Sequence, residues 1–150
     1  MIEKILVALD GSEASNRALD LALNIADKYS AEVLLLTVIQ PVTIPFYVFE
    51  GVPTPIGSEF DTYFERVQAY SNQILSEALK KAKKERPKLK ISTKLEEGRP
   101  ANKIVQTAEE EGCDVIVMGS RGLSGVKELF LGSVSDRVAD NAKCPVLIVK

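Results

Sequence analysis

Along this chain, short apolar runs alternate with longer stretches in which apolar residues recur every three or four positions. The runs are IEKILVAL (Ile2–Leu9), AEVLLLTVI (Ala31–Ile39), LKISTKL (Leu89–Leu95), DVIVM (Asp114–Met118) and PVLIVK (Pro145–Lys150). Their length and their content of branched aliphatic residues predict strands. Four of the five lack apolar–polar alternation, as strands do when a parallel sheet is covered on both faces. LKISTKL does alternate, which predicts an edge strand with one wet face.

The stretches between them carry helical periodicity. Ser12–Tyr29 sets Ala14, Ala18, Leu21, Ala22 and Ile25 on one stripe, and Ser58–Arg86 does so with Tyr63, Val67, Tyr70, Ile74 and Ala78. Ser58 and Asp61 have the spacing of a capping box, with Asp in place of Glu. Pro100–Gly112 opens on Pro and closes on Gly, the asymmetry that helices favour. Ser133–Ala142 is the last and shortest helix.

Strand and helix therefore alternate through the chain. That order predicts an α/β fold, a single domain with a five-stranded parallel sheet and helices on both faces. One connection breaks the rhythm. Gln40–Gly57 holds four prolines together with Phe46, Tyr47 and Phe49, and a loop of that length is a lid, a contact surface or disordered. Its aromatic residues argue against simple disorder.

Composition narrows the function classes. With 45% hydrophobic and 27% charged residues and a net charge of −2 over 150 residues, the chain reads as an ordinary soluble domain. No charge excess points to nucleic acid or a membrane surface. The basic run Lys80–Lys90 ends a helical stretch, where cations suit the helix dipole. Histidine is absent and the two cysteines, Cys113 and Cys144, form no CxxC pattern, which excludes zinc-finger and His-rich metal sites. Each cysteine precedes an apolar run and reads as a small buried hydrophobe. No signal peptide opens the sequence and no apolar run is long enough to span a bilayer, so the expected location is cytoplasmic.

Ligands of open α/β sheets bind beyond the carboxyl ends of strands, where the strand order reverses. A flavodoxin-like order, 2-1-3-4-5, competes here with a half-Rossmann order, 3-2-1-4-5. The loops favour the second. The first strand is followed by an acid, Asp10, and the third by the short acidic EEGRP. The glycine-rich loop follows the fourth, in GSRGLSGVKELFLGSVS (Gly119–Ser135).

Each part of that loop has a physical use. Gly119 and Gly122 would turn with positive φ and approach a ligand closely. Gly132 and Ser133 precede the last helix, whose first N–H groups attract anions. Ser133 and Ser135 add hydroxyl groups, Arg121 and Lys127 could neutralise phosphate, and Met118 offers an adaptable apolar surface to a flat base. Neither a Walker P-loop nor a GxGxxG after a strand occurs.

These segments resemble the universal stress protein family over nearly the whole length. The match lies in KILVALDGSEASNRAL, in LLLTVI (with Thr37 where the family often has His), in EEGRPANKIVQTAEEEGCDVIVMGSRG, and in the Gly-x2-Gly-x9-Gly-Ser signature of the glycine loop. The resemblance implies the family's adenine nucleotide α-hydrolase-like architecture and its ATP-binding subclass. It implies that Ala8, Leu9, Val38 and Met118 line an adenine pocket. Asp10 would contact the ribose or lie near a phosphate-bound Mg²⁺ or Mn²⁺. Gly119, Arg121 and Gly122 would approach the ribose and phosphates, and Gly132, Ser133, Val134 and Ser135 would hold the phosphates. It further implies a homodimer through the last strand, Pro145–Lys150.

Three functions follow as expectations. One is a switch in the stress response that binds ATP, or ADP or AMP, and reports it to a protein partner. Another is a slow ATPase or a nucleotidyl or phosphoryl transferase, for which Asp10 with a divalent ion is the only candidate. The third is a dimeric interaction module with incidental nucleotide. Asp10 could instead cap the first helix, although Ser12 is equally placed to do so.

Overall fold

A computed structural model describes residues 1–41, 47–49, 51–54, 57–122 and 132–150. The elements follow one another as β1 (Lys4–Ala8), α1 (Glu13–Tyr29), β2 (Glu32–Ile39), β3 (Tyr47–Phe49), β4 (Val52–Thr54), α2 (Gly57–Glu85), β5 (Ile91–Glu97), α3 (Pro100–Glu110), β6 (Val115–Gly119), α4 (Ser133–Asn141) and β7 (Val146–Val149). Five strands form one parallel sheet in the order β5-β2-β1-β6-β7. Numbered by the five apolar runs, this is 3-2-1-4-5, as the position of the glycine loop predicts. β1 thus has β2 on one side and β6 on the other, so the strand order reverses between β1 and β6, the place where α/β sheets open a crevice beyond the strands' carboxyl ends.

The hidden strands explain the missing alternation. Ile5, Leu6, Val7, Leu35, Leu36, Ile116 and Val117 are fully buried, and successive residues feed opposite cores. Ile5, Val7, Leu35 and Val117 pack beneath α1 and α2, while Leu6, Leu36 and Ile116 pack beneath α3 and α4. Burying each such side chain contributes about 1.5–3 kcal/mol.

The helices sit a little differently from the periodicity. The buried face of α1 is Ala14, Ser15, Ala18, Leu19, Ala22, Leu23 and Ala26, and Leu21 is exposed. In α2 the buried residues are Ser71, Leu75, Ala78 and Ala82, with Tyr63 and Tyr70 about half exposed. Alanines, two serines and three leucines make up these seams. α2 begins at Gly57, one residue before Ser58.

Two further departures concern the edges. The Gln40–Gly57 connection contains an antiparallel hairpin, β3 with β4, turned at Gly51 with φ +79°. Phe46 lies outside the described residues. β5 is an edge strand as expected, but its polar face is not simply wet. Lys94 and Glu96 of β5 join Glu111, Lys4 and Lys103 in a chain of ion pairs 2.8–3.4 Å long that covers this face under α3. At the other edge, β7 presents four half-buried aliphatic residues. Among the described residues no helix is long and apolar enough to cross a membrane.

Candidate functional site

A cavity of about 240 Å³ opens at the carboxyl ends of β1 and β6. All twelve residues singled out above line it: Ala8, Leu9 and Asp10 from β1 and its turn, Val38 from β2, Met118, Gly119, Arg121 and Gly122 from β6 and beyond, and Gly132, Ser133, Val134 and Ser135 from α4. The structure adds Leu36, Pro100, Ile104, Ser15 and Ser120 to the wall. Leu36 lies two residues before Val38 on the same strand face. Pro100 and Ile104 stand one turn apart on α3, so the apolar end of the cavity is closed by a helix that none of the sequence expectations placed at the site. Lys127 and Gly125 lie outside the described residues.

The β1–α1 turn is held rigidly. The Ser12 hydroxyl accepts the Ser15 N–H (3.2 Å) and so caps α1, while the Ser15 hydroxyl donates back to the Ser12 carbonyl. Asp10 is therefore not the helix cap. Its Oδ1 accepts the Ser12 N–H at 2.9 Å, a short-range turn typical of Asp. Its Oδ2 faces Gly122, where a β-carbon would stand 2.9 Å away. Gly11 between them has φ +84°, and a side chain there would meet the Tyr70 hydroxyl and Ile74 of α2. The turn thus requires glycine on both conformational and steric grounds.

The glycines of the loop act differently from the expectation. The positive-φ glycines of the described chain are Gly11, Gly51, Gly98 and Gly112, so Gly119 and Gly122 turn without the left-handed region. Their need for glycine is steric. A β-carbon on Gly119 would press 2.8 Å from the Ala14 and Ser15 backbone of α1. Gly119 therefore lets β6 pass under the start of α1, and Gly122 makes room for Asp10. Gly132 packs its Cα side against the Ser120 carbonyl, 3.1 Å from where a β-carbon would sit.

α4 aims its amino end at the cavity. Gly132 is the N-cap and offers no side chain to cap the helix. The first intrahelical bond runs from Asp136 N–H to the Gly132 carbonyl, so the first-turn N–H groups at Ser133, Val134 and Ser135 precede every intrahelical acceptor. Their partial positive charge suits an anion. The helix is anchored by Gly132 N–H to Ser120 O (2.8 Å) and by the Ser135 hydroxyl, which reaches both Ser120 O (3.0 Å) and Gly132 O (2.9 Å). Ser135 is buried and its single hydroxyl proton is engaged, so its hydroxyl is a brace, whereas Ser133 is exposed. Ser120 N–H in turn donates to Val149 O of β7 (2.7 Å).

Arg121 is partly exposed beside this end, and its carbonyl accepts weakly from the Ser12 hydroxyl at 3.4 Å. The cavity therefore has an apolar end (Leu9, Val38, Met118, Ile104) and a polar end of one carboxylate, one guanidinium and a helix amino terminus. That gradient suits a ligand with a flat apolar part and an anionic part. Among the described residues no group of three or more His, Cys, Asp or Glu could hold a metal alone.

Comparison with known proteins places this architecture. A model of the universal stress protein family matches residues 1–150. Universal stress protein MJ0531 of Methanocaldococcus jannaschii is 40% identical over 152 aligned positions, covering 100% of this chain and 83% of that one. The solved structure of MJ0577, from the same organism, superposes with a TM-score of 0.70 at 33% identity, covering 100% of this chain and 96% of the other. A universal stress protein solved in complex with cAMP superposes with a TM-score of 0.66 at 29% identity, covering 99% and 96%. Sequence match over the full length and superposition on solved members agree: the chain belongs to the universal stress protein family.

Proposed function

We propose that this protein binds an adenine nucleotide, ATP first among them, in the β1–β6 cavity and acts as a regulatory switch in the cytoplasm. One observation carries the reading: the amino end of α4, which no side chain caps among the described residues, faces the same cavity whose other end is apolar. The base would lie against Leu9, Val38, Met118 and Ile104, and the phosphates at Gly132–Ser135 with Arg121 nearby. The relative solved with cAMP supports an adenine nucleotide as the ligand class.

Mg²⁺ or Mn²⁺ would come with the phosphates. Mg²⁺ is commonly held by one or two carboxylates plus phosphate oxygens. Asp10 fits that role, since only its Oδ1 is engaged by the Ser12 N–H and Oδ2 faces the cavity mouth. β7 would carry a homodimer, because an apolar edge strand with open backbone groups tends to pair. Ligand-dependent change would then follow from different nucleotide affinities of two dimer or hairpin states.

The test is to denature freshly purified protein and identify the released small molecules by chromatography and mass spectrometry. Near-stoichiometric intact ATP is expected. ADP or AMP would instead favour slow hydrolysis with Asp10 and its metal ion. An empty protein that also takes up no ATP with Mg²⁺ in a titration would overturn the proposal and favour an interaction module.

A further inference from the structure

A second cavity, of about 210 Å³, lies at the opposite end of the sheet from the first. Its walls include Val105, Ala108, Ile116 and Ala142, and both cysteines of the chain, Cys113 and Cys144, open into it. The Glu109–Lys143 ion pair (3.2 Å) stands at its side.

Backbone pairing explains why the two residues share one cavity. Ile116 is in register with Val146, and Ile116 N–H donates to Pro145 O. Two residues back, the same register sets Asp114 opposite Cys144, one residue from Cys113. Adjacent strands lie about 4.8 Å apart and rise about 3.3 Å per residue. Continued to Cys113, that spacing would put the two Cα atoms about 5.8 Å apart, inside the range that a disulfide spans. Both side chains also turn to the same face. Cys113 belongs to the core beneath α3 and α4, and Cys144 packs against that core. Strict alternation would give this place to Asp114, but the Asp114 carboxylate turns away to accept the Glu3 and Lys4 N–H groups at 2.7 and 2.9 Å.

We propose that Cys113 and Cys144 form a redox-active pair that closes to a disulfide across the base of β6 and β7. The oxidant is a low-molecular-weight disulfide such as oxidised glutathione. Cys144 is partly exposed and attacks first, whereas Cys113 is buried. The Cys144 thiol loses its proton, its sulfur bonds to one sulfur of the reagent, and the reagent's S–S bond breaks to release one thiol. Cys113 then loses its proton, attacks the Cys144 sulfur and expels the second thiol. Two protein S–H bonds become one S–S bond, and one reagent disulfide becomes two thiols. Burial pushes both thiols up, Cys113 to about 11, so both steps draw on a small thiolate fraction at neutral pH. The cross-link would tie together the two ends of the 113–144 segment, which contains β6, the glycine signature and α4. This inference stands independently of the nucleotide reading.

The full chain would be incubated with oxidised glutathione and examined by intact mass, thiol titration and non-reducing peptide mapping. The expected product has lost both free thiols and about 2 Da, the two hydrogens removed. It carries a 113–144 linked peptide, stays at the mass of one chain, and returns to the starting mass with dithiothreitol. Its urea midpoint should rise on oxidation, because the closed loop restricts the unfolded chain. The variant Cys113→Ala should stop at a glutathione adduct on Cys144 and show no such rise. A wild-type protein that stops at that same adduct, keeps both thiols, or links two chains instead would overturn the proposal.

Discussion

The Asp10 carboxylate and Gly122 stand so close across the cavity mouth that any side chain at position 122 must displace the carboxylate: a β-carbon there would lie 2.9 Å from Asp10 Oδ2. The two residues come from neighbouring strands of the sheet, at the ends of β1 and β6, and their approach narrows the polar end of the cavity. Gly122 is exposed and has no positive φ, so a larger residue there meets the carboxylate and little else among the described groups.

Replacing Gly122 by Val should therefore weaken ATP binding at least tenfold, about 1.4 kcal/mol, with little change in the fold. Titration calorimetry with ATP and Mg²⁺ measures the first effect. A melting temperature within about 4 °C of wild type, the shift of roughly 1 kcal/mol in a chain of this size, checks the second. Full-strength binding by the variant would remove Gly122 and Asp10 from the site.

Asp10→Asn keeps an acceptor for the Ser12 N–H and removes only the charge. Its ATP affinity should lose most of its dependence on Mg²⁺ while the melting temperature stays near wild type. If wild-type protein releases ADP slowly, the same variant should abolish that release. Affinities measured with Mg²⁺ and with a chelator, on both proteins, separate the two roles.

Much of this arrangement was legible beforehand because strand order and loop chemistry are local signals. Unbroken apolar runs gave a parallel sheet, and the position of the glycine loop chose the order that sets β1 beside β6. The same reasoning brought Asp10, Met118 and Ser133 to one cavity although they are far apart in sequence. What it missed depends on contacts between elements. Nothing local in Pro100–Ile104 says that this turn of α3 closes the apolar end. The reason for Gly119 lies in the α1 backbone, a hundred residues earlier in the chain. The charged residues of β5 look solvent-facing in isolation, because their partners come from α3, its carboxyl end and β1.

Gly119 gives a prediction opposite in kind to Gly122. A β-carbon there would meet the Ala14 and Ser15 backbone at 2.8 Å, and backbone in a packed helix has little room to move. Gly119→Ala should lower stability by about 1–3 kcal/mol, the usual cost of overpacking. Urea denaturation reads this directly. An unchanged midpoint would mean that α1 can shift, and that Gly119 serves the cavity alone.

Thr37 braces the site from behind. It is buried, and its hydroxyl donates to the Leu9 carbonyl at 3.0 Å, while Leu9 N–H donates to Leu36 O at 2.8 Å. Together these bonds fix the last residue before Asp10. Thr37→Val keeps the shape and deletes the donor, which should cost about 1–3 kcal/mol for the acceptor left behind and should also weaken ATP binding. Thr37→Ser should restore both. A loss of stability with unchanged ATP affinity would confine Thr37 to the core.

The acid limb of stability should report the opposite end of the sheet. Asp114 Oδ2 accepts the N–H groups of Glu3 and Lys4, and these two backbone bonds, Glu3 first, hold its carboxyl below the ordinary aspartate range. A carboxyl lowered on folding stabilises the native state once the unfolded chain's aspartate is ionised, and that contribution disappears as pH falls through the lower folded value. Wild type should therefore be more stable than Asp114→Asn near neutrality, with the gap closing only below the ordinary aspartate range. Glu111 is lowered as well, first by its bond to the Lys4 side chain, and so contributes in the same window. Comparing the two proteins at each pH largely cancels the Glu111 part, because Glu111 bonds the side chain of Lys4 and not the backbone that Asp114 holds. Urea midpoints measured from neutral pH down through the acid transition test this, and a gap that stays constant to the lowest pH would show that the difference between the two proteins owes nothing to the ionisation of Asp114.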